Sequence, residues 1–193
     1  MSVSQFTIFG NKTPMGSYIL FIRVSSSIQL AFGLFQQSRL FTVPEGDYLY
    51  IGSALGKTGN PLARRLTRHA SRSGDKPPHE IRAAIINIFS GHGAARNCVL
   101  EPADKKLHWH IDYLLEQSEA EITHIAMIQH PEKLEDKLSE FLASLHGTSP
   151  LAPRLGAQDT RNSSHILSLS DWQEVLEQLR QYIPALISPP DMK

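Results

Sequence analysis

Tyr18-Ile-Leu-Phe-Ile-Arg-Val24 is an almost unbroken apolar run, short and rich in β-branched and aromatic residues. That pattern predicts a buried strand. Ile28 to Leu34 and Arg39 to Val43 follow as a predicted hairpin joined through Gln36-Gln-Ser38. Pro44-Glu-Gly46-Asp47 has the composition of a turn, and Tyr48 to Gly52 is the next strand. Asn60-Pro61 then reads as an N-cap and first helical residue, opening a helix to about Ser71. Residues 72–78 interrupt it. Ile81, Ile85, Ile88 and Phe89 recur at helical spacing, which predicts a helix over His79 to Phe89.

The stretch from Gly91 to Lys106 is polar and irregular, and reads as an exposed excursion. Leu107 to Gln117 fits helix or strand equally. Ile122 to Ile128 reads as a strand. Leu134, Leu138, Phe141, Leu142 and Leu145 mark a helix from Pro131 to Leu145. Gly147 to Ser164 reads as a long loop, and His165 to Leu169 as a last short strand. Ser170 and Asp171 cap a closing helix to about Tyr182, ended by Pro184. Hairpin-linked strands with interspersed helices predict an α+β fold, a small antiparallel or mixed sheet flanked by helices. The expected organisation is one domain over 1–193, with 72–105 as an insertion and 147–193 as a C-terminal extension.

Composition narrows the class. Apolar residues are 41% and charged residues 20%, as in an ordinary globular protein. Cys98 is the single cysteine, which excludes an intrachain disulfide framework and a multi-cysteine zinc site. The first residues lack the pattern of a secretory signal, and no apolar stretch reaches the ~20 residues of a membrane span. A cytoplasmic location without membrane contact is expected. Lys plus Arg equals Asp plus Glu at 19 each, so any nucleic-acid contact needs a local basic patch.

One such patch exists. Tyr48-Leu-Tyr-Ile-Gly52-Ser-Ala is followed by Ala63-Arg-Arg-Leu-Thr-Arg-His69. Arg65 and His69 share a helix face, with Arg68 close to it. Guanidinium groups bind phosphate oxygens in pairs at any working pH. A phenol can position or activate water, and a carboxylate can hold Mg²⁺ through one contact. Singly, each feature is weak: strand tyrosines are usually packing residues and helix arginines usually a solvated face. His108, His110 and Asp112 would converge on a metal if they lay in a strand. A structural cluster with a histidine–aspartate bond is the favoured reading of that trio.

The joint order of these segments resembles the GIY-YIG nuclease superfamily. Gly16-Ser-Tyr18 stands where the first triplet falls, Tyr50-Ile-Gly52 is the second, and Arg65 with His69 follows on a helix. Leu107-His-Trp-His-Ile-Asp-Tyr-Leu-Leu115 is similar to the signature of one GIY-YIG-like subfamily, in which a hairpin separates the two tyrosine strands. The resemblance implies a Mg²⁺- or Mn²⁺-dependent endonuclease acting on DNA, in repair or recombination. It implies catalytic roles for Tyr18, Tyr50, Arg65, His69 and Glu135, with Glu135 the metal ligand and Glu132 the fallback. Arg64, Arg68 and Lys57 would bind nucleic acid. Gly52, His108, His110, Asp112, Asp159 and His165 would support the site. Thr160 and Asn162 replace cysteines of the subfamily pattern, so no soft-metal site is expected there. A protein partner or homodimer is an expected aid to gripping DNA. The alternative is a catalytically silent nucleic-acid-binding or protein-interaction module on the same fold.

Overall fold

The computed structural model describes residues 4–90, 105–153, 155 and 164–188. Its first strand, β1 (Phe6–Gly10), is followed by β2 (Gly16–Val24), β3 (Ile28–Ala31), β4 (Leu40–Val43) and β5 (Gly46–Ala54). Helices α1 (Pro61–His69), α2 (Arg82–Ser90) and α3 (His110–Leu115) come next. Then follow β6 (Ala120–Gln129), α4 (Glu135–Ser144), β7 (Thr148–Pro150), β8 (Ile166–Leu169) and α5 (Trp172–Ile187). Six strands form one sheet in the order β1-β6-β2-β5-β8-β7, and β3 and β4 pair separately. Only β1 against β6 is parallel, so the sheet is mixed and the fold α+β.

The apolar run of β2 is continuous because both its faces are buried. Tyr18, Leu20, Ile22 and Val24 face one layer, with α1, α2, α3 and the β3–β4 hairpin. Ile19 and Phe21 face the other, with α4 and α5. Strand alternation thus divides the core between two helical layers.

Several expectations change. Residues 6–10 form a strand that the sequence reading lacked, and Thr148–Pro150 adds a sheet edge inside the expected long loop. Residues 107–117 contain a helix. The hairpin strands are shorter than expected, because Gln36, Gln37 and Ser38 all take positive φ and turn the chain early. Helix α4 begins at Glu135 instead of Pro131. The Leu134 amide instead reaches Ser17 Oγ, 3.4 Å away, while its side chain enters the core. Helix α5 continues beyond Pro184 to Ile187, since that proline is exposed and its carbonyl still accepts from Ser188. Asn60 caps α1 as expected, accepting from the Ala63 amide at 2.9 Å, with Pro61 in the first turn.

Residues 72–90 contribute to the core at particular positions. Ile81, Ile85 and Phe89 are buried. Arg72 donates to the carbonyls of Leu115, Pro77 and Ala120 at 3.1, 2.8 and 2.6 Å. This ties the chain after α1 to α3 and β6. Among the described residues, no helix is long and apolar enough to cross a membrane.

Candidate functional site

Antiparallel pairing of β2 with β5 sets Tyr18 opposite Gly52. Tyr18 and Tyr50 both point toward the α1 layer, with ring centroids 6.3 Å apart. Gly52 makes this possible. A Cβ there would lie 2.5 Å from the Tyr18 hydroxyl and 2.6 Å from its ring carbon. The phenol occupies the space that any other residue would fill.

Helix α1 is amphipathic. Leu62, Ala63 and Leu66 enter the core, and Arg64, Arg65 and Arg68 turn outward to different degrees. Its last residue, His69, is wholly buried, and Nε2 lies 2.8 Å from the Tyr18 hydroxyl. The imidazole is 5.7 Å, centroid to centroid, from each tyrosine and 5.8 Å from Trp109. Asp112 approaches from α3, with Oδ1 3.5 Å from His69 Nδ1. That separation is long for a hydrogen bond, and Nδ1 has no other partner among the described residues.

Asp112 is the junction of the site. It accepts both NH groups of Arg68, at 2.8 and 3.0 Å, and the amides of His108 and Trp109 at 2.9 and 3.0 Å. Burial pushes its carboxyl up, but His69, Arg68 and the amides outweigh burial and hold it well below the usual carboxylate range. Burial drives His69 down to about 4 against the opposing pull of Asp112, so its imidazole is neutral near pH 7. Both phenols are pushed upward, chiefly by burial. For each, the Glu135 charge adds to the rise and Arg65 opposes it.

Helix α4 packs on the other face of the sheet, through Leu134, Leu138 and Leu142. Its first residue nevertheless stands beside the start of β2, where the Glu135 charge reaches both phenols. Lys133 Nζ is 3.6 Å from its carboxylate. Tyr18, Tyr50, Arg65, His69 and Glu135 therefore gather at one end of the sheet. Glu132 is exposed.

Beside them opens a cleft of about 280 Å³. Arg64, Arg65, Arg68 and Trp109 line it opposite the loop after β5. The Arg65 and Arg68 guanidinium carbons stand 4.0 and 4.5 Å from the Trp109 ring centre, so the indole holds both by cation–π contact. Trp109 is the residue of the His-Trp-His phrase to which the sequence reading gives no role of its own. Its only signal was an aromatic between two histidines, just before the helix that carries Asp112.

The remaining expected site residues separate into groups. Arg68 borders the cleft, but its guanidinium is already engaged by Asp112. Lys57 is exposed in the loop after β5 and is not among the residues lining the cleft. His108, His110 and Asp112 do not converge, because the chain turns into a helix at His110. His108 is exposed against Trp109, while His110 is buried against Phe35 at 5.2 Å. The idea of a metal held by that trio is thereby corrected, and the histidine–aspartate contact is made by His69 instead. His165 is buried, and its backbone carbonyl accepts from Ile51 at 3.0 Å. Asp159 lies outside the described residues.

The donor set bears on metal type. Among the described residues no group of three or more His, Cys, Asp or Glu could hold an ion. A single carboxylate at a partly exposed position suits Mg²⁺, which keeps most of its waters and needs no protein cage.

No curated protein and no solved structure matches the chain. One family model matches, that of the Domain of unknown function DUF123, over residues 17–188. The matched span contains both tyrosine strands, α1, α3 and the start of α4, and on that match the chain belongs to the DUF123 family.

Proposed function

We propose that this protein is a divalent-metal-dependent endonuclease that hydrolyses phosphodiester bonds in DNA, on a GIY-YIG-like core. The observation that carries the reading is the meeting of Tyr18, Tyr50, Arg65, His69 and Glu135 beside an arginine-lined cleft. These side chains come from four separate elements, and packing alone does not require that combination. Arg65 lies at the cleft, where its guanidinium can take two oxygens of the scissile phosphate and steady the charge that grows there. Glu135 is the metal ligand, and a divalent ion held there would supply Lewis-acid stabilisation of phosphate-oxygen charge. Tyr18 and Tyr50 orient the attacking water. His69, neutral near pH 7, is the available base.

One observation favours a silent binding module. Both phenols are buried, which disfavours a free phenolate. The two readings part in one experiment. The purified protein is incubated with Mg²⁺ or Mn²⁺ on single-stranded, branched and duplex DNA. Cleavage is expected, falling by about 10²-fold or more in Arg65→Ala and Glu135→Gln. DNA binding without cleavage in the parent supports the silent module. Equal cutting by parent and both variants overturns the site assignment.

A further inference from the structure

We propose that Asp112 is a positioning residue for proton transfer: it holds His69 as the Nδ1–H tautomer, so that Nε2 faces Tyr18 as an acceptor. The inference rests on the nuclease reading above and adds a role that the DUF123 match does not assign.

The two ring nitrogens of His69 face different partners. His69 is fully buried, so neither can turn to solvent. Nε2 has the Tyr18 hydroxyl at 2.8 Å. Nδ1 has only the Asp112 carboxylate within reach among the described residues, at 3.5 Å. An ionised carboxylate accepts and never donates. The Nε2–H tautomer would aim the Nδ1 lone pair at that carboxylate, which is repulsive. The Nδ1–H tautomer aims a proton at it and leaves Nε2 to accept from Tyr18 O–H. Asp112 cannot swing away from this duty, because Arg68 grips both its oxygens and the amides of His108 and Trp109, just before α3, hold one of them. A fixed carboxylate orienting a histidine that serves a hydroxyl is a known solution for activating a poor nucleophile or base.

This arrangement removes the difficulty of a buried phenolate. As water attacks phosphorus, its proton passes to Tyr18 Oη while the Tyr18 proton passes to His69 Nε2. The P–O bond to the water oxygen forms and the bond to the leaving oxygen breaks. The leaving oxygen takes a proton from solvent, and the His69 proton later leaves by the reverse path, from Nε2 to Tyr18 Oη while the Tyr18 proton passes to a water. Tyr18 begins and ends as a neutral phenol, and the transient imidazolium lies against Asp112. Arg68 thereby acts on the chemistry through Asp112 and not by touching phosphate.

Two measurements test it. Long-range ¹⁵N–¹H NMR of the parent protein at pH 7 is expected to show His69 protonated at Nδ1 and bare at Nε2. Protonation at Nε2 overturns the proposal without reference to activity or to any variant. In cleavage assays, Asp112→Asn is expected to lower kcat by about 10²-fold at nearly constant KM. If Arg65→Ala and Glu135→Gln abolish cutting while Asp112→Asn and His69→Gln keep parental kcat, the relay is wrong and the nuclease reading stands. A parent that never cuts sinks the nuclease reading and the transfer step with it.

Discussion

Gly52 shows how one missing side chain makes room for another. Its hydrogen lets the Tyr18 ring lie flat across β5 and reach His69. In Gly52→Ala the new methyl would sit 2.5 Å from the hydroxyl, and the buried ring has nowhere to retreat. Overpacking of this kind costs about 1–3 kcal/mol. The effect on cleavage is expected to be larger, about 10²-fold, since a displacement near 1 Å breaks the aligned geometry. Gly56→Ala, in the loop that lines the cleft, is the comparison for stability, because its Cβ would make only ordinary contacts of 3.4 and 3.6 Å with Pro61 and so overpacks nothing. Thermal melting and cleavage rates of both variants check this. An unchanged rate in Gly52→Ala would remove Tyr18 from the chemistry. At this scale much of the site was legible. Helix spacing alone puts Arg65 and His69 on one face, whereas Tyr18, Tyr50 and Glu135 joined them through the resemblance to the GIY-YIG order. The pairing of Asp112 with His69 was not legible, because it joins residues 43 positions apart through the packing of α3 on α1. His108 and His110, the nearer histidines in sequence, drew the aspartate in the wrong direction.

Elements were readable where a local pattern dictates them and unreadable where a distant partner does. The run Tyr18 to Val24 announces a central strand, and Asn60-Pro61 announces a helix start. Phe6–Gly10 becomes a strand only by pairing in parallel with β6, more than a hundred residues away. Leu107 to Gln117 resolves as a helix because Asp112 caps its own amides. The junction after α1 depends likewise on one buried side chain. Arg72 satisfies the carbonyls of Leu115, Pro77 and Ala120 and pairs with Glu121 at 3.2 Å. Arg72→Ala leaves buried acceptors unpaired, and removal of one partner from such a network costs about 3–5 kcal/mol. For a chain of this size that lowers Tm by roughly 6–20 °C. Arg23→Ala, which removes an exposed pair with Glu45 and Asp47, is expected to cost under about 1 kcal/mol. Comparable melting of the two variants would mean that Arg72 does not fasten this junction.

The whole molecule carries no net charge, so attraction to DNA needs a local basic patch, and the cleft is the candidate. Counting its cations gives a number that binding can test. Arg64 and Arg65 have no carboxylate partner among the described residues. Arg68 is neutralised by Asp112. Lys57 is exposed on the loop that follows β5, next to the cleft. Two to three phosphates neutralised on duplex DNA give a slope of log K against log salt of about −2 to −3. Arg65→Ala is expected to flatten that slope by about 0.9, and Arg64→Ala by a similar amount. Arg68→Ala is expected to leave the slope unchanged while lowering Tm, since its charge is already met inside the protein. Fluorescence anisotropy across 50–300 mM salt, in Ca²⁺ to limit cutting, separates these cases. If Arg68→Ala flattens the slope as much as Arg65→Ala, then Arg68 leaves Asp112 for the phosphate on binding. His69 would in that case lose the fixed carboxylate on which its tautomer depends.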